Sequence, residues 1–374
     1  MNYLRLDEIC DLSMGQSPSS DSYNQERIGI PFFQGNADFG ELHPITRVWC
    51  DKPIKVVDKG TLLISVRAPI GALNFAAEKS CIGRGLAGLV AKNGYDLKYI
   101  YYVLKYKEQE LNNKGTGSTF KAISKSSLGE VLIPNISMEK QKDYVKKLHL
   151  IQRTLFDEKK QIEQLDALIK SRFIEMFGDP FINQMRWEKR LLGDVCDVRD
   201  GTHDSPKYYD IGYPLLTSKN VTSGKIDITK CSYISEEDYI KINERSKVDI
   251  GDIIMPMIGT VGKPVIVNIE PNFAIKNVAL IKFNNTSDVD NIYVKTLLES
   301  DYFDRCVLSK IRGGTQKFIA LGDIRKVEIL LPTIDRQQEF RKFVKQVEKL
   351  KSEEQKRLEQ TQTLFDSLMQ KYFG

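Results

Sequence analysis

This chain is poor in histidine and tryptophan, has no paired cysteines, and lacks any long apolar run. Its 374 residues include three histidines (His43, His149, His203), two tryptophans and six dispersed cysteines: Cys10, Cys50, Cys81, Cys196, Cys231 and Cys306. No Cys-x-x-Cys pair occurs and no histidine stands at metal-ligand spacing from a cysteine, which argues against a zinc module and a disulfide framework. No apolar run approaches the ~18–20 residues of a membrane span. Asp7 and Glu8 fall where a signal peptide needs a basic and then apolar stretch, so the expected location is the cytoplasm, with no membrane partner. The net charge of +5 is too small to demand a nucleic-acid partner. At ~150 residues per domain, the length suggests two or three domains.

Catalytic signatures are missing as well. Gly259-Thr260-Val261-Gly262-Lys263-Pro264 has too few residues between its glycines for a phosphate loop, and Pro264 stands where Ser or Thr would hold Mg²⁺. There is no Gly-x-Gly-x-x-Gly opening a helix, no Gly-x-Ser-x-Gly elbow, and no Asn/Asp-Pro-Pro-Tyr tetrapeptide. Glu158-Lys159-Lys160 resembles part of a nuclease signature but lies within a heptad pattern. The chain reads as a protein that binds, with no catalytic and no metal residues of its own.

What is present is a repeat of half the chain. Leu6-x-x-x-Cys10-Asp11 recurs as Leu192-x-x-x-Cys196-Asp197, and Ile28-Gly29-Ile30-Pro31 as Ile211-Gly212-Tyr213-Pro214. Gly60 and Gly71 recur as Gly251 and Gly262, and Thr119-x-Lys121-x-Ile123 as Thr315-x-Lys317-x-Ile319. From there to Phe177-Gly178 and Phe373-Gly374 the offset stays at 196, whereas upstream it drifts between 183 and 191. Each half therefore has a front part that tolerates insertions and a back part of fixed length, as variable loops on a scaffold would.

The front parts read as mixed α and β. Residues 61–66, 252–255, 264–267 and 278–281 are predicted strands, and 95–106 and 288–301 predicted helices. The back parts predict helices over 137–177 and 335–373, each ~60 Å long at ~1.5 Å per residue. Leu148, Leu155, Ile162, Ile169 and Met176 recur every seven residues, with Ile151 and Leu165 beside them. Val344, Leu358, Phe365 and Tyr372, with Val347 and Leu368, form the second stripe. Glu158, Arg172, Lys351, Glu354 and Thr361 interrupt these seams, so neither helix suits water alone and the two are expected to pair antiparallel as a coiled-coil spacer. The expected fold is α+β: two mixed α/β domains (1–136 and 179–334) separated by a long antiparallel two-helix coiled coil (137–178 and 335–374), with a pseudo-two-fold repeat.

Several front-part loops combine glycine with side chains suited to base edges and phosphates. In the first half these are Gln16, Ser17 and Ser19; Gln34 and Asn36; Arg67; Arg84; and Thr116, Ser118, Thr119 and Lys121. In the second they are Thr202, His203, Ser205 and Lys207; Ser218, Lys219 and Asn220; Lys263; Lys276 and Asn277; and Arg312, Thr315, Gln316 and Lys317. Arg can grip guanine with two hydrogen bonds, Asn and Gln adenine, while Lys, Ser and Thr hold phosphates. His203 could contact a base but reads more readily as an exposed turn residue, while Phe120 reads equally as a stacking or a core residue.

The chain resembles the specificity subunit (HsdS) of type I restriction–modification systems over essentially its whole length. The most specific segment contains Phe177-Gly178-Asp179-Pro180, Asn183, Trp187 and Leu191-Leu192-Gly193-Asp194-Val195. Ser65-Val66-Arg67-Ala68-Pro69-Ile70-Gly71, Gly83-Arg84-Gly85-Leu86-Ala87, and Gly251-Asp252-Ile253-Ile254 with Gly259–Lys263 support it. So do Ile133-Pro134 leading to Gln141 and Leu331-Pro332 leading to Gln337-Gln338. The resemblance implies two target recognition domains reading a bipartite, asymmetric site in double-stranded DNA. It implies helices that set the unread gap and dock two methyltransferase subunits, and restriction subunits reached through the complex. S-adenosylmethionine and ATP would sit on those partners, with no cofactor bound by this chain. Two other readings remain: a free-standing sequence-specific DNA-binding regulator without a methyltransferase partner, and a nuclease with an unrecognised site.

Overall fold

The structure is a computed structural model that describes residues 2–92, 94–116, 121–221, 224–257, 263–283, 288–307 and 318–374. The chain divides into two compact units, Met1–Lys159 with Lys356–Gly374, and Lys160–Gln355. Among the described residues, no helix is long and apolar enough to cross a membrane.

In the first unit, a helical turn at Leu6–Ile9 is closed by Glu8 Oε2, which accepts the Arg5 N–H at 2.8 Å. The chain then enters strand Cys10–Met14, the edge of a four-stranded antiparallel sheet. Its order is Cys10–Met14, Leu86–Ala91, Leu62–Ser65, Leu73–Phe75. Leu62–Ser65 is buried at every position because both faces of the sheet are covered. Leu62 and Ile64 pack with the helix Leu97–Tyr106, whereas Leu63 packs with Phe33, Val57 and Ile82 of a second sheet. A strand covered on both sides needs no polar alternation, hence the unbroken apolar run. The second sheet has five short strands in the order Tyr23–Asn24, Trp49–Cys50, Ile30–Phe33, Ser80–Ile82, Val56–Val57.

The second unit has the corresponding four-stranded order: Asp197–Asp200, Val278–Lys282, Ile253–Pro256, Val265–Ile266. Its second sheet has three strands, Ser232–Ile234, Tyr213–Leu216 and Ala274–Ile275. In each unit one pair in this second sheet is parallel, Ile30–Phe33 with Ser80–Ile82 and Tyr213–Leu216 with Ala274–Ile275. Cys10 and Cys196 occupy matching places where the helical turn becomes a strand, and burial pushes each thiol up to about 12.

The two long helices are Met138–Phe177 and Ile334–Phe373, and each contributes residues to both units. In the first unit their segments run antiparallel. Tyr144 stacks on Tyr372 with ring centroids 3.8 Å apart, and Thr361 Oγ1 donates to Glu158 Oε1 at 3.1 Å. In the second, Phe340 meets Phe173 and Phe177 edge-on, and Lys351 pairs with Asp166. Leu148, Leu155, Ile169, Val344, Val347 and Phe365 are buried; Ile151, Ile162, Leu165, Leu358 and Leu368 are half-buried.

A buried glutamine anchors the start of each long helix. Gln141 Oε1 accepts the Asp96 N–H at 2.9 Å, and its Nε2 donates to Ile136 O at 3.0 Å and Gly94 O at 3.4 Å. Gln337 Oε1 accepts the Asp290 N–H at 2.8 Å, and its Nε2 donates to Pro332 O at 2.8 Å and Asp288 O at 3.0 Å. Asp96 and Asp290 in turn cap the helices Leu97–Tyr106 and Asn291–Leu298. These caps explain why the helices expected from 95 and 288 begin at 97 and 291: Asp96 and Asp290 themselves have extended backbone. Ser300 separates Asn291–Leu298 from a further helix, Asp301–Cys306, dividing the helix expected over 288–301.

The joint after the first long helix accounts for its sequence motif. Gly178 and Asn183 adopt positive φ values of 78° and 49°. The Asn183 amide holds both backbone groups of Trp187 at 2.9 Å, and Trp187 Nε1 donates to Phe177 O at 3.0 Å. These bonds fold the chain back at the helix end.

Replacing Gln337 with Met strands a buried N–H and two carbonyls, so Gln337→Met should cost about 2–4 kcal/mol, and Gln141→Met a similar amount. Urea unfolding of each variant measures it; a loss below about 0.5 kcal/mol would show that the amides are not anchors.

Candidate nucleic-acid interface

Three segments cross at one end of the four-stranded sheet in each unit. In the first unit, Gly15 N donates to Leu86 O and Gln16 N to Ile82 O, both at 2.9 Å, while Gly83 N donates to Phe33 O at 2.8 Å. In the second, Gly201 N donates to Val278 O at 2.9 Å, Thr202 N to Ile275 O at 3.0 Å, and Lys276 N to Leu216 O at 2.9 Å. The backbones are too close for a side chain at the first crossing residue. A Cβ on Gly15 would lie 2.1 Å from Gly83 O, and one on Gly201 would lie 2.5 Å from Ile275 O.

This crossing assembles candidates that are far apart in sequence. In the first unit Gln34 Nε2 donates to Ser17 Oγ at 3.0 Å, and the Arg84 N–H donates to the same hydroxyl at 3.2 Å. Gln34 is oriented by its own turn, since Asp38 Oδ2 accepts the Gln34 N–H at 2.7 Å. Gln16, Gln34 and Arg84 are exposed and Ser17 and Asn36 half-exposed, with Asn36 opening that turn. Arg67 joins from the neighbouring strand, because Val66 N donates to Gly85 O at 2.9 Å. Arg67 and Thr116 both bridge to Ala122, beside the exposed Lys121. Ser19 lies further along its loop, 3.5 Å from Asp21 Oδ2.

In the second unit the crossing brings together Thr202, His203, Ser218, Lys276 and Asn277. His203 Nε2 meets Asp200 Oδ2 at 2.8 Å and its Nδ1 meets Asn277 Oδ1 at 2.9 Å. Asp200 is buried, and Arg245 holds its other oxygen. The hydrogen bonds to Asn277 and Asp200 push the His203 imidazole above its ordinary value, against burial and the Arg245 charge. Met257, Phe318, Ile319, Ala320 and Leu321 complete a cavity around Asp200, His203 and Asn277.

Other candidates are turned to the fold. Asn220 is buried: its Oδ1 accepts from Thr217 N and Oγ1 at 3.0 and 2.9 Å, and its Nδ2 donates to Asp227 O at 3.2 Å. Lys276 is also buried, with Nζ donating to Ser205 Oγ at 2.7 Å. Ser218 Oγ donates to Asn277 O at 3.3 Å. Lys207 lies over the Tyr209 ring, and Lys219 and Lys263 are exposed. Ser118, Thr119, Phe120, Arg312, Thr315, Gln316 and Lys317 lie outside the described residues. Sequence reasoning missed Asp200 and Arg245, for Arg245 comes from helix Glu236–Ser246, which has no counterpart in the first unit to flag it. Among the described residues, no group of three or more His, Cys, Asp or Glu side chains is placed to hold a metal ion.

Comparison with known proteins places this geometry in a family. The model of the type I restriction modification DNA specificity domain matches residues 1–167 and 185–360. The chain is similar to the putative type I restriction enzyme MjaX specificity subunit of Methanocaldococcus jannaschii, at 44% identity over 158 residues, which span 42% of this chain and 37% of that relative. It is also similar to the MjaIX specificity subunit of the same organism, at 27% identity over 351 residues, 85% of this chain and 78% of that one. The crystal structure of the type I restriction–modification S subunit from M. genitalium shares the fold, with a TM-score of 0.60 and 18% identity, over all of this chain and 96% of that one.

The close crossings predict a sharp contrast among glycines. Gly15→Ala and Gly201→Ala should each cost about 1–3 kcal/mol, because the methyl group must push backbone aside. Gly35→Ala, which meets nothing within 4 Å, should stay within about 0.5 kcal/mol of the parent in thermal unfolding.

Proposed function

The chain belongs to the family of type I restriction–modification DNA specificity domains, and on that premise we propose that it is the sequence-reading subunit of a type I restriction–modification complex. It recognises a bipartite, asymmetric site in double-stranded DNA and performs no catalysis itself. The observation that carries this reading is the crossing at one sheet end of each unit, built by the same backbone bonds but furnished with different side chains. One frame with two side-chain sets suits two different DNA half-sites. In the first, Gln16, Gln34, Arg67 and Arg84 offer amide and guanidinium groups to base edges. In the second, Thr202, His203 and Asn277 occupy the equivalent ground.

The recognition domains span 1–136 and 179–334, and the helices 137–178 and 335–374 form an antiparallel coiled coil that relates two pseudo-two-fold halves. That coiled coil sets the unread gap and docks two methyltransferase subunits, which bring S-adenosylmethionine and base flipping. Restriction subunits join through the complex and bring ATP. The assembly works in the cytoplasm, and its other subunits share the neutralisation of DNA phosphates, so a charge of +5 is enough here. A free-standing DNA-binding regulator is the less favoured reading, because family members are specificity subunits.

Exchanging residues 1–136 for the first recognition domain of another family member should change one half of the methylated motif and leave the other intact. Methylation mapping by long-read sequencing of the reconstituted complex reads this directly; a change in both halves would refute independent domains. Removing one heptad from each long helix should shorten the spacer by ~10 Å, about three base pairs. Unchanged methylation of the original site by that variant would end the spacer reading.

A further inference from the structure

The second unit's cluster holds an arrangement that the first lacks. A carboxylate only accepts hydrogen bonds, so His203 Nε2, 2.8 Å from Asp200 Oδ2, carries a proton. With the Asn277 amide oxygen turned to it at 2.9 Å, Nδ1 carries another, because an amide oxygen only accepts. In that orientation of the amide the ring is the imidazolium, with both donors in use and none left for a base. Asn277 is held in left-handed backbone at φ 55°, and its amide nitrogen makes no hydrogen bond among the described residues.

We propose that His203 is a proton-dependent positioning residue that selects which end of the Asn277 amide the second unit presents to a DNA base. With His203 charged, the amide oxygen is bound and the NH₂ faces outward, a donor for guanine O6 or N7 or thymine O4. When the ring loses a proton to solvent, Nε2 keeps its hydrogen toward buried Asp200 and Nδ1 becomes an acceptor. The amide then turns about its last bond, so that Nδ2 donates to the ring and Oδ1 faces outward. It now accepts from the amino groups of cytosine N4 or adenine N6.

The charged groups facing the ring among the described residues are Asp200 on its own segment and Arg245 from helix Glu236–Ser246. Lys276 is turned to Ser205. Because the folded-state value is raised, the imidazolium arrangement is fully in place below the ordinary imidazole range and is lost as pH rises through the folded value. The first unit's cluster of Ser17, Gln34 and Arg84 includes no histidine, so that half of the site serves as an internal control.

This inference rests on the reading that the cluster contacts bases, and the experiment separates the two. The chain is assembled with its own methyltransferase subunits and S-adenosylmethionine, then given a random-sequence duplex library at about pH 6 and about pH 9, either side of the imidazole range. Base preference at a position is a ratio within one reaction, so any overall change in methylation rate cancels. The expected result is a preference change of about tenfold at one position, in the half-site read by the second unit only. His203→Ala should abolish the response, and Asn277→Asp, which only accepts, should show the high-pH preference at both values. A motif that does not change with pH, or a response that survives in His203→Ala, would overturn the switch and leave the specificity function standing. A complex that methylates no defined motif would overturn the function itself.

Discussion

A primary amide withdrawn from water must find one donor and two acceptors inside the protein. At the first turn of each long helix, Gln141 and Gln337 meet that demand by joining three pieces of chain: the helix start, the exit of the strand before it (Leu132–Pro134 or Glu328–Leu331), and the capped start of helix Leu97–Tyr106 or Asn291–Leu298. The N–H that each amide receives belongs to Asp96 or Asp290, the residue that also caps that helix. Helix register, helix entry and cap therefore cannot vary independently. Tyr99 and Tyr293 extend the same arrangement, each donating its hydroxyl to a carbonyl of the strand exit, Pro134 or Leu330. Those capped helices cover one face of each four-stranded sheet, so the amides also fix where that sheet sits within its unit.

From this anchoring the candidate interface follows. Each sheet is covered on its other face by a second sheet of very short strands, and the strands of both end together at the crossing. Gly15 and Gly201 let backbone pass within van der Waals reach of backbone there, which puts side chains from three distant segments on one small surface. The frame is rigid because its bonds are main-chain bonds, and side chains can vary on it without altering the fold. Ser17 tying Gln34 and Arg84 in one unit, and His203 tying Asp200 and Asn277 in the other, are two solutions on one frame.

Several elements were legible because their signal is long. The heptads of the two helices extend over five turns or more, and the 196-residue offset ties them together. The buried strands around Leu63 and Ile254 were legible as apolar runs after a turn glycine. The second sheets were not, since strands such as Trp49–Cys50 and Ala274–Ile275 have two residues and hence no period to detect. Helix Glu236–Ser246 escaped because its 11 residues are mostly polar and carry no apolar stripe long enough to mark a helix, and Arg245 escaped with it.

The sequence by itself determined that motifs of the first half recur in the second, that a long helix follows each set of them, and which loops hold base-competent side chains. Only the tertiary structure decided how those side chains are used. Asn220 and Asn277 look alike as polar loop residues, yet the first satisfies buried backbone while the second keeps an amide nitrogen available. The same holds for His203, which in sequence is a polar turn residue and in the fold has its two ring nitrogens against Asp200 and Asn277. A polar residue's role depends on which hydrogen-bonding groups the fold leaves unpaired beside it, and those groups come from segments up to 74 residues away.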